Sequence, residues 1–312
     1  MEKTKLCIII PCYNEEEVLP ETLKRLKAFL TQNEDLLSPE SRLLFVDDCS
    51  RDGTWKLIKA AAREDERVEG ISLSHNRGHQ NALWAGMEKA NGFFDCVITI
   101  DADLQDDVSA MRAFLERFLS GADVVYGVRS KRDTDSFFKR LTAEGYYKLM
   151  RFLGAETVYN HADYRLLSRR ALKALMEYGE VNLYLRGMVP LLGFETETVY
   201  YERAERFAGQ SKYPLKKMLA LAMQGATSFS VKPIAFIWGL GLAVCLLSAL
   251  AGVVLLCVPG TQLGFTAFSV WFVGGLVLTA LGLTGEYVGK IYAEVKHRPR
   301  YFIKDSTDDK PE

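Results

Sequence analysis

Apolar positions along the first two thirds of the chain follow two alternating rhythms. Short β-branched or leucine-rich runs at Lys5 to Pro11, Arg42 to Val46, Val68 to Leu73, Cys96 to Ile100 and Asp123 to Val128 predict buried strands, and Glu195 to Tyr201 is strand-like. Between them, spacings of three and four, as in Val18, Leu19, Leu23, Leu26 and Leu30, predict helices that cover a sheet, with others over Trp55 to Arg63 and Val108 to Leu119. Asn14 to Glu17 is expected to open the first helix as a cap followed by acids, and Pro20 suits an early helical position. Small residues at Ala82, Ala85 and Gly86 predict close helix packing. This alternation is that of an α/β domain with a mostly parallel sheet and helices on both faces.

The rhythm stops near residue 233. Pro233 to Val258 has no charged residue, and neither has Pro259 to Gly285. Each exceeds the roughly 20 apolar residues that cross a bilayer, so two membrane spans are expected. Lys212, Lys216, Lys217 and Lys232 precede the first, and Lys290, Lys296, Arg298 and Arg300 follow the second, which places both ends of the pair in the cytoplasm. Met1 to Lys5 lacks a signal-peptide core, so the preceding domain is expected there too, on the inner face of the cell membrane. The expected divisions are 1–211 for the soluble domain, 212–232 for a basic juxtamembrane segment, 233–292 for the spans and 293–312 for a tail. Lys304 to Glu312 is polar and expected to be disordered. Phe137 to Leu153 interleaves aromatics with Lys139, Arg140, Lys148 and Arg151, and fits a membrane-surface helix or a core helix with a solvated face.

Composition narrows the chemistry. The 312 residues carry a net charge of −1, so no global field points to nucleic acid. Six cysteines form no C-x-x-C pair and read as small core residues; the four histidines are scattered, and neither set suggests a zinc site. No G-x-G-x-x-G follows the first strand, and no Walker-type loop is present.

Acids gather instead where strands end. Asp101-Ala102-Asp103-Leu104-Gln105 follows one apolar run and Asp47-Asp48 another. Asp101, Asp103 and Gln105 are hard oxygen donors that can share a cation while leaving positions for a diphosphate; the plainer alternative is a solvated acidic turn. Asp52 and Thr54 fit an ordinary turn with a cap. Cations cluster later, from Arg203 to Tyr213, as a phosphate site or an anchor for anionic headgroups.

Five motifs occur in order: Pro11-Cys12-Tyr13-Asn14-Glu15, Val46 to Thr54, Asp101 to Gln105, Ala162-Asp163-Tyr164-Arg165-Leu166 and Arg206 to Tyr213. Together they resemble the inverting family-2 glycosyltransferases that load a sugar onto a polyisoprenyl phosphate, the bactoprenol glucosyltransferases and dolichol-phosphate mannose synthases. The resemblance implies a Rossmann-like nucleotide-diphosphosugar transferase (GT-A) domain with two C-terminal transmembrane helices. It implies that Pro11, Tyr13, Glu15 and Asp48, with Asp47 beside them, hold the nucleotide, and that Asp101, Asp103 and Gln105 bind Mg²⁺ or Mn²⁺ with the donor diphosphate. Arg129, Arg206 and Lys212 would grip the acceptor phosphate, and Asp163 would lie near the acceptor, where orienting Arg206 or a sugar hydroxyl is as plausible as acting as a base. Its plainest role is an ion pair with Arg165. The implied partners are a UDP-sugar ahead of a GDP-sugar, undecaprenyl phosphate and the bilayer; span glycines permit a homo-oligomer. Cys49 stands where that family usually has glycine, and Ala143-Glu144 where it often has serine and a basic residue. Rival readings are a processive polysaccharide synthase, whose Gln-x-x-Arg-Trp motif is absent, a noncatalytic sugar-nucleotide-binding scaffold, and a flippase.

Overall fold

The computed structural model describes residues 3–130, 161–181, 183–202 and 262–308, with single positions between 234 and 250. The segment Phe137 to Leu153, the cations Arg206 and Lys212, and most of the first expected span lie outside the described residues. The chain divides into two compact units: Met1–Thr142, Thr157–Lys212 and Pro299–Glu312 form the first, Ala143–Glu156 and Tyr213–Arg298 the second.

In the first unit the strands are β1 (Leu6–Cys12), β2 (Arg42–Asp47), β3 (Val68–Leu73), β4 (Cys96–Thr99), β5 (Val124–Arg129), β6 (His161–Ser168), β7 (Thr196–Tyr201) and β8 (Ile303–Ser306). They make one sheet in the order β7-β5-β6-β4-β1-β2-β3-β8. β3, β2, β1 and β4 run parallel, as the alternating rhythm predicted. The sheet as a whole is mixed, because β6 is antiparallel to both β4 and β5, and β8 is antiparallel to β3. β6 escapes a hydropathy reading because it carries Asp163 and Arg165, both buried. An ion pair there replaces the apolar contacts that usually betray a strand.

Helices α1 (Leu19–Gln32), α2 (Thr54–Glu64), α3 (His79–Ala90), α4 (Ala110–Leu119), α5 (Arg169–Met176) and α6 (Leu185–Leu191) complete this unit. α1 turns Leu19, Leu26, Phe29 and Leu30 into a core shared with Leu6, Ile8 and Ile10 of the central strand. Pro20 is in its first turn, but Asn14 is not its cap: Val18 holds that position without a side-chain bond. Asn14 instead has φ 54° and its side chain accepts the Arg51 amide at 2.8 Å, tying the β1–α1 turn to the β2–α2 turn. Gly86 of α3 meets the prediction of close packing, since a Cβ there would lie 2.4 Å from Ile9 Cγ2 and 3.0 Å from Val46 Cγ2. Cys7, Cys12 and Cys96 are buried free thiols, pushed up in pKa by burial.

The expected disordered tail is corrected in its first half. β8 adds to the edge strand β3, Asp305 accepts from Trp55 Nε1 at 2.8 Å and from Lys59 at 3.1 Å, and the Thr307 amide donates to Gly70 O at 2.9 Å. Polar residues suffice because a main-chain ladder needs no apolar side chains, and the strand covers an otherwise open edge.

In the second unit α7 (Gln262–Val295) is the one helix among the described residues long and apolar enough to cross a membrane, over Phe272–Val295 with a mean hydropathy of 1.3. Those 24 residues span about 36 Å, and none of the apolar stretch is buried. The helix runs past the uncharged stretch that ends at Gly285 and three residues beyond the expected boundary at 292, and Glu286, Lys290 and Glu294 follow at a spacing of four, on one face.

Candidate active site

Strand order fixes where a ligand would lie. From β1 the chain moves outward to β2 and β3, then returns to place β4 on the other side of β1. Open α/β sheets bind ligands at such a switch point, outside the carboxyl ends of the strands. Here those ends carry Cys12 and Tyr13 after β1, Asp48 after β2 and Asp101 after β4. The antiparallel β6 enters at the same edge: Thr99 is paired with Arg165, so Asp163, the third residue of the strand, lies beside the end of β4, and its carbonyl accepts the Thr99 hydroxyl. β5 contributes Arg129 from its own carboxyl end.

Three loops at this edge hold non-glycine residues with left-handed backbone: Asn14 (φ 54°), Cys49 (φ 59°) and Leu104 (φ 57°). Such a conformation costs an L residue about 1 kcal/mol, and strain of this kind collects at ligand sites. A left-handed backbone is the conformation that favours glycine, the residue the resemblance leads one to expect at the position of Cys49. Leu104 is buried and turns the backbone between Asp103 and Gln105, where Asp103 Oδ1 accepts the Gln105 amide at 3.2 Å.

Asp47 and Asp48 are both buried and do different things. Asp47 accepts the Ser50 amide and the Ser72 hydroxyl, at 3.1 and 2.7 Å, and so shapes the turn itself. Asp48 accepts the amides of Arg77 and Gly78 at 2.7 and 2.8 Å, gathering the loop before α3 toward the β2 end. Burial pushes its carboxyl above the ordinary value, against the pull of those two amides. Gly78, at φ 84°, is where that loop turns into the helix. Tyr13 is exposed, the Glu15 amide donates to Thr54 Oγ1, and Asp52 receives the Thr54 hydroxyl, the turn-forming role expected of it.

α3 begins with His79 and Gln80, and these close the gap between the β4 acids and β6. His79 Nε2 lies 3.6 Å from Asp101 Oδ1 and 3.4 Å from Asp163 Oδ2. Burial works against a charge on His79, but Asp101 and Asp163 outweigh it and raise its pKa. Gln80 donates to Asp163 at 3.4 Å and accepts the Leu185 amide at 3.0 Å. Arg186, at the start of α6, clasps both oxygens of Asp163, at 3.2 and 3.0 Å, while Arg165 Nη2 holds Oδ1 and Arg165 Nη1 the carbonyl of Leu185. The ion pair with Arg165 is thus present and forms part of a larger knot. Despite burial, Arg186, His79 and Arg165 hold the Asp163 carboxyl well below the usual carboxylate range.

Arg129 is engaged on the other flank: it donates to Asp106 at 3.1 Å and to the Tyr201 hydroxyl at 3.3 Å, and Tyr201 donates to Asp106. His79, Arg186, Asp106 and Tyr201 are site residues that the sequence motifs did not single out. A lone histidine or arginine in the first turn of a helix carries no pattern until the fold juxtaposes it with an acid.

The chemistry of the donor set accommodates a divalent cation. Asp101 is half-buried, and its carboxyl is raised by burial, with Asp106, Asp163 and Asp103 adding their repulsion and His79 opposing. Excess negative charge facing hard oxygens is what a cation neutralises. No cage of three or more His, Cys, Asp or Glu side chains converges among the described residues. An ion of the Mg²⁺ type needs no such cage, since it takes one or two carboxylates and fills its shell with water and substrate phosphates.

A mixed α/β sheet with aspartates at its switch point agrees with a glycosyltransferase domain of the GT-A type, and the family match shows that class. Residues 7–176 match the description Glycosyl transferase family 2, and the chain belongs to that family. It is 50% identical over 305 residues to YkoT of Bacillus subtilis (strain 168), described as an uncharacterized glycosyltransferase, across 96% of this chain and 90% of that protein. It is 38% identical over 309 residues to the SfII prophage-derived bactoprenol glucosyl transferase of Shigella flexneri, across 97% and 98% respectively. Among solved structures, the mannosyltransferase PcManGT from Pyrobaculum calidifontis, in complex with GDP-Man and Mn²⁺, aligns with 95% of this chain and 88% of its own at 18% identity and a TM-score of 0.46, a likeness too loose to bear on function.

Proposed function

We propose that this protein transfers glucose or a related hexose from a nucleoside-diphosphate sugar, UDP-linked ahead of GDP-linked, to undecaprenyl phosphate with inversion at the anomeric carbon. The observation that carries this reading is the relation to a bactoprenol glucosyl transferase over 97% of the chain, which takes in the stretch beyond the catalytic domain as well. α7, paired with the first span expected from residue 233 onward, would then form a two-span hairpin in the inner membrane that keeps the catalytic unit and both termini in the cytoplasm.

The acceptor is a phosphate monoester with a second pKa of about 6, largely dianionic at neutral pH. It needs no deprotonation, only alignment behind the anomeric carbon and a stabilised leaving group. A cation, Mg²⁺ or Mn²⁺, held by Asp101, Asp103 and Gln105 would supply charge stabilisation to the departing diphosphate. Pro11, Tyr13, Glu15 and Asp48 line the nucleotide end, with Asp47 shaping the turn behind it. Arg129, Arg206 and Lys212 offset the repulsion between two approaching anions. Asp163 orients rather than accepts a proton: five nitrogens, from Arg165, Arg186 twice, Gln80 and His79, surround its two oxygens, against about four lone-pair sites on a carboxylate.

The direct test is transfer of radiolabelled sugar from a panel of UDP- and GDP-sugars to undecaprenyl phosphate in detergent, with and without Mg²⁺ or Mn²⁺, beside Asp103→Ala. Expected is metal-dependent label in the lipid phase, lost by at least a hundredfold in the variant while its melting temperature holds and its Mn²⁺ binding, read by electron paramagnetic resonance, weakens. Nucleotide binding without any lipid label would overturn the acceptor assignment. Label in the lipid with retained anomeric configuration would overturn the single displacement.

A further inference from the structure

The last described stretch of the chain does more than finish the sheet. Arg300, five residues beyond the end of α7 in sequence, lays its guanidinium over the ring of Trp84 in α3, 4.4 Å from the centroid. From there Nε donates to Glu180 O at 3.0 Å, and Nη2 to Glu180 O at 2.7 Å and Tyr178 O at 3.0 Å. Those carbonyls belong to the loop between α5 and α6, and α6 carries Arg186. Further on, the Tyr301 hydroxyl donates to Glu88, Phe302 O accepts the Ser74 amide at 2.8 Å, and Lys89 pairs with Asp308. Residues 300–308 therefore run along α3 and β3 as a strap.

Trp84 lies one helical turn beyond Gln80, whose side-chain Oε1 accepts the Leu185 amide. The α5–α6 loop is consequently held from two points on one helix, by Arg300 over Trp84 near its start and by Gln80 at its end. Trp84 is 1% exposed and has no freedom to follow a moving loop. A planar fork that stacks on a ring and serves two carbonyls suits arginine and not lysine, whose ammonium is a single point charge.

We propose that Arg300 is a positioning residue: through the 178–180 carbonyls it sets the seat of α6, so that Arg186 meets Asp163 in the geometry that orients the acceptor side of the site. It touches no substrate. Only the kinetic arm of the test rests on the function proposed above; the exchange arm reads the positioning itself.

The variants are Arg300→Ala and Arg300→Lys in the full chain in detergent, measured for kcat, donor KM, melting temperature and amide hydrogen exchange. In Arg300→Ala kcat is expected to fall about ten- to a hundredfold, the range a small misplacement of catalytic groups produces, with donor KM within about twofold of wild type. Exchange across 178–189 is expected to quicken at least about tenfold, while 44–54 around Asp47 and Asp48 stays as protected as in wild type. Arg300→Lys should fall between the two. Unchanged kcat with unchanged exchange would overturn the proposal. So would a uniform loss in which kcat, donor KM, melting temperature and protection at 44–54 all move together, which would make Arg300 a general stabiliser. If Arg300→Ala does not fold, Arg300→Lys alone must show lower kcat at an unchanged melting temperature, and its failure to do so overturns the proposal. A wild-type enzyme that labels no lipid would sink the function proposed above and leave the exchange arm to decide this one.

Discussion

Replacing Asp163 by Asn separates the orienting role from the base role with almost no change of shape. The substitution removes one negative charge from a pocket that holds two guanidinium groups, and it turns an acceptor into an NH₂ that faces other donors. Arg165, 1% exposed, keeps the Leu185 carbonyl and at most one neutral amide oxygen in place of the carboxylate, and cannot reach water. Arg186 is 36% exposed and recovers part of its solvation. Removing one partner of a buried ion pair costs about 3–5 kcal/mol. With one of the two arginines able to rehydrate, the lower end applies, about 3 kcal/mol. For a domain of this size each kcal/mol moves the melting temperature about 2–4 °C, so a fall of about 6–12 °C is expected. The sign against pH has two parts: the depressed carboxyl's own stabilisation is complete above the unfolded pKa of about 3.9 and so constant from pH 6 to 8, while the share it lends to the raised His79 is full below the unfolded value of about 6.5 and fades as pH rises, so the deficit should be somewhat larger at pH 6 than at pH 8. Thermal melts over that range and transfer rates from pH 5 to 8 make the assay. Turnover should drop while the acid limb of the pH–rate profile survives, since that limb belongs to the acceptor phosphate with its pKa of about 6. A melting temperature within about 1 °C of wild type would refute the buried-knot argument. Loss of the acid limb together with activity would restore Asp163 as a base.

Two further outcomes follow from the scaffold. Gly86→Ala should destabilise the protein by about 1–3 kcal/mol despite alanine's better helix propensity, because the new methyl meets Ile9 Cγ2 at 2.4 Å on the fully buried central strand; an unchanged urea midpoint would contradict this. Asp65, held at about 2 chiefly by its hydrogen bonds to Arg67, contributes stability that is present above the unfolded value of about 3.9 and disappears as pH falls toward 2. Asp65→Asn should therefore cost about 1–2 kcal/mol at pH 7, after allowance for the partly exposed arginine, and almost nothing near pH 2; equal deficits at both pH values would refute the pairing.

How far the sequence could be read depended on whether a residue's signal was local. β3 begins and ends where its apolar run does, at Val68 and Leu73, and β1, β2, β4 and β5 fall within a residue or so of theirs, because a buried strand writes its burial into consecutive side chains. α1 kept its apolar face while its start moved to Leu19: Asn14, a good cap by type, was needed to bridge two turns instead. β6 and β8 went unread for the opposite reason. Their stability comes from main-chain pairing with β4, β5 and β3, and from ions such as Asp163 and Arg165 that satisfy one another only when folded.

The candidate site divides along the same line. Motifs alone marked Asp48, Asp101, Asp103 and Asp163, since several acids and their neighbours recur in a fixed local order. That Asp163 comes to lie against His79, Gln80 and Arg186, and Arg129 against Asp106 and Tyr201, was decided by the tertiary structure. The physical reason is the direction of one strand. Had β6 run parallel to β4, its first residues would have emerged at the far edge of the sheet; because it runs antiparallel, they meet the acids at the end of β4, some 60 residues away in sequence and adjacent in space.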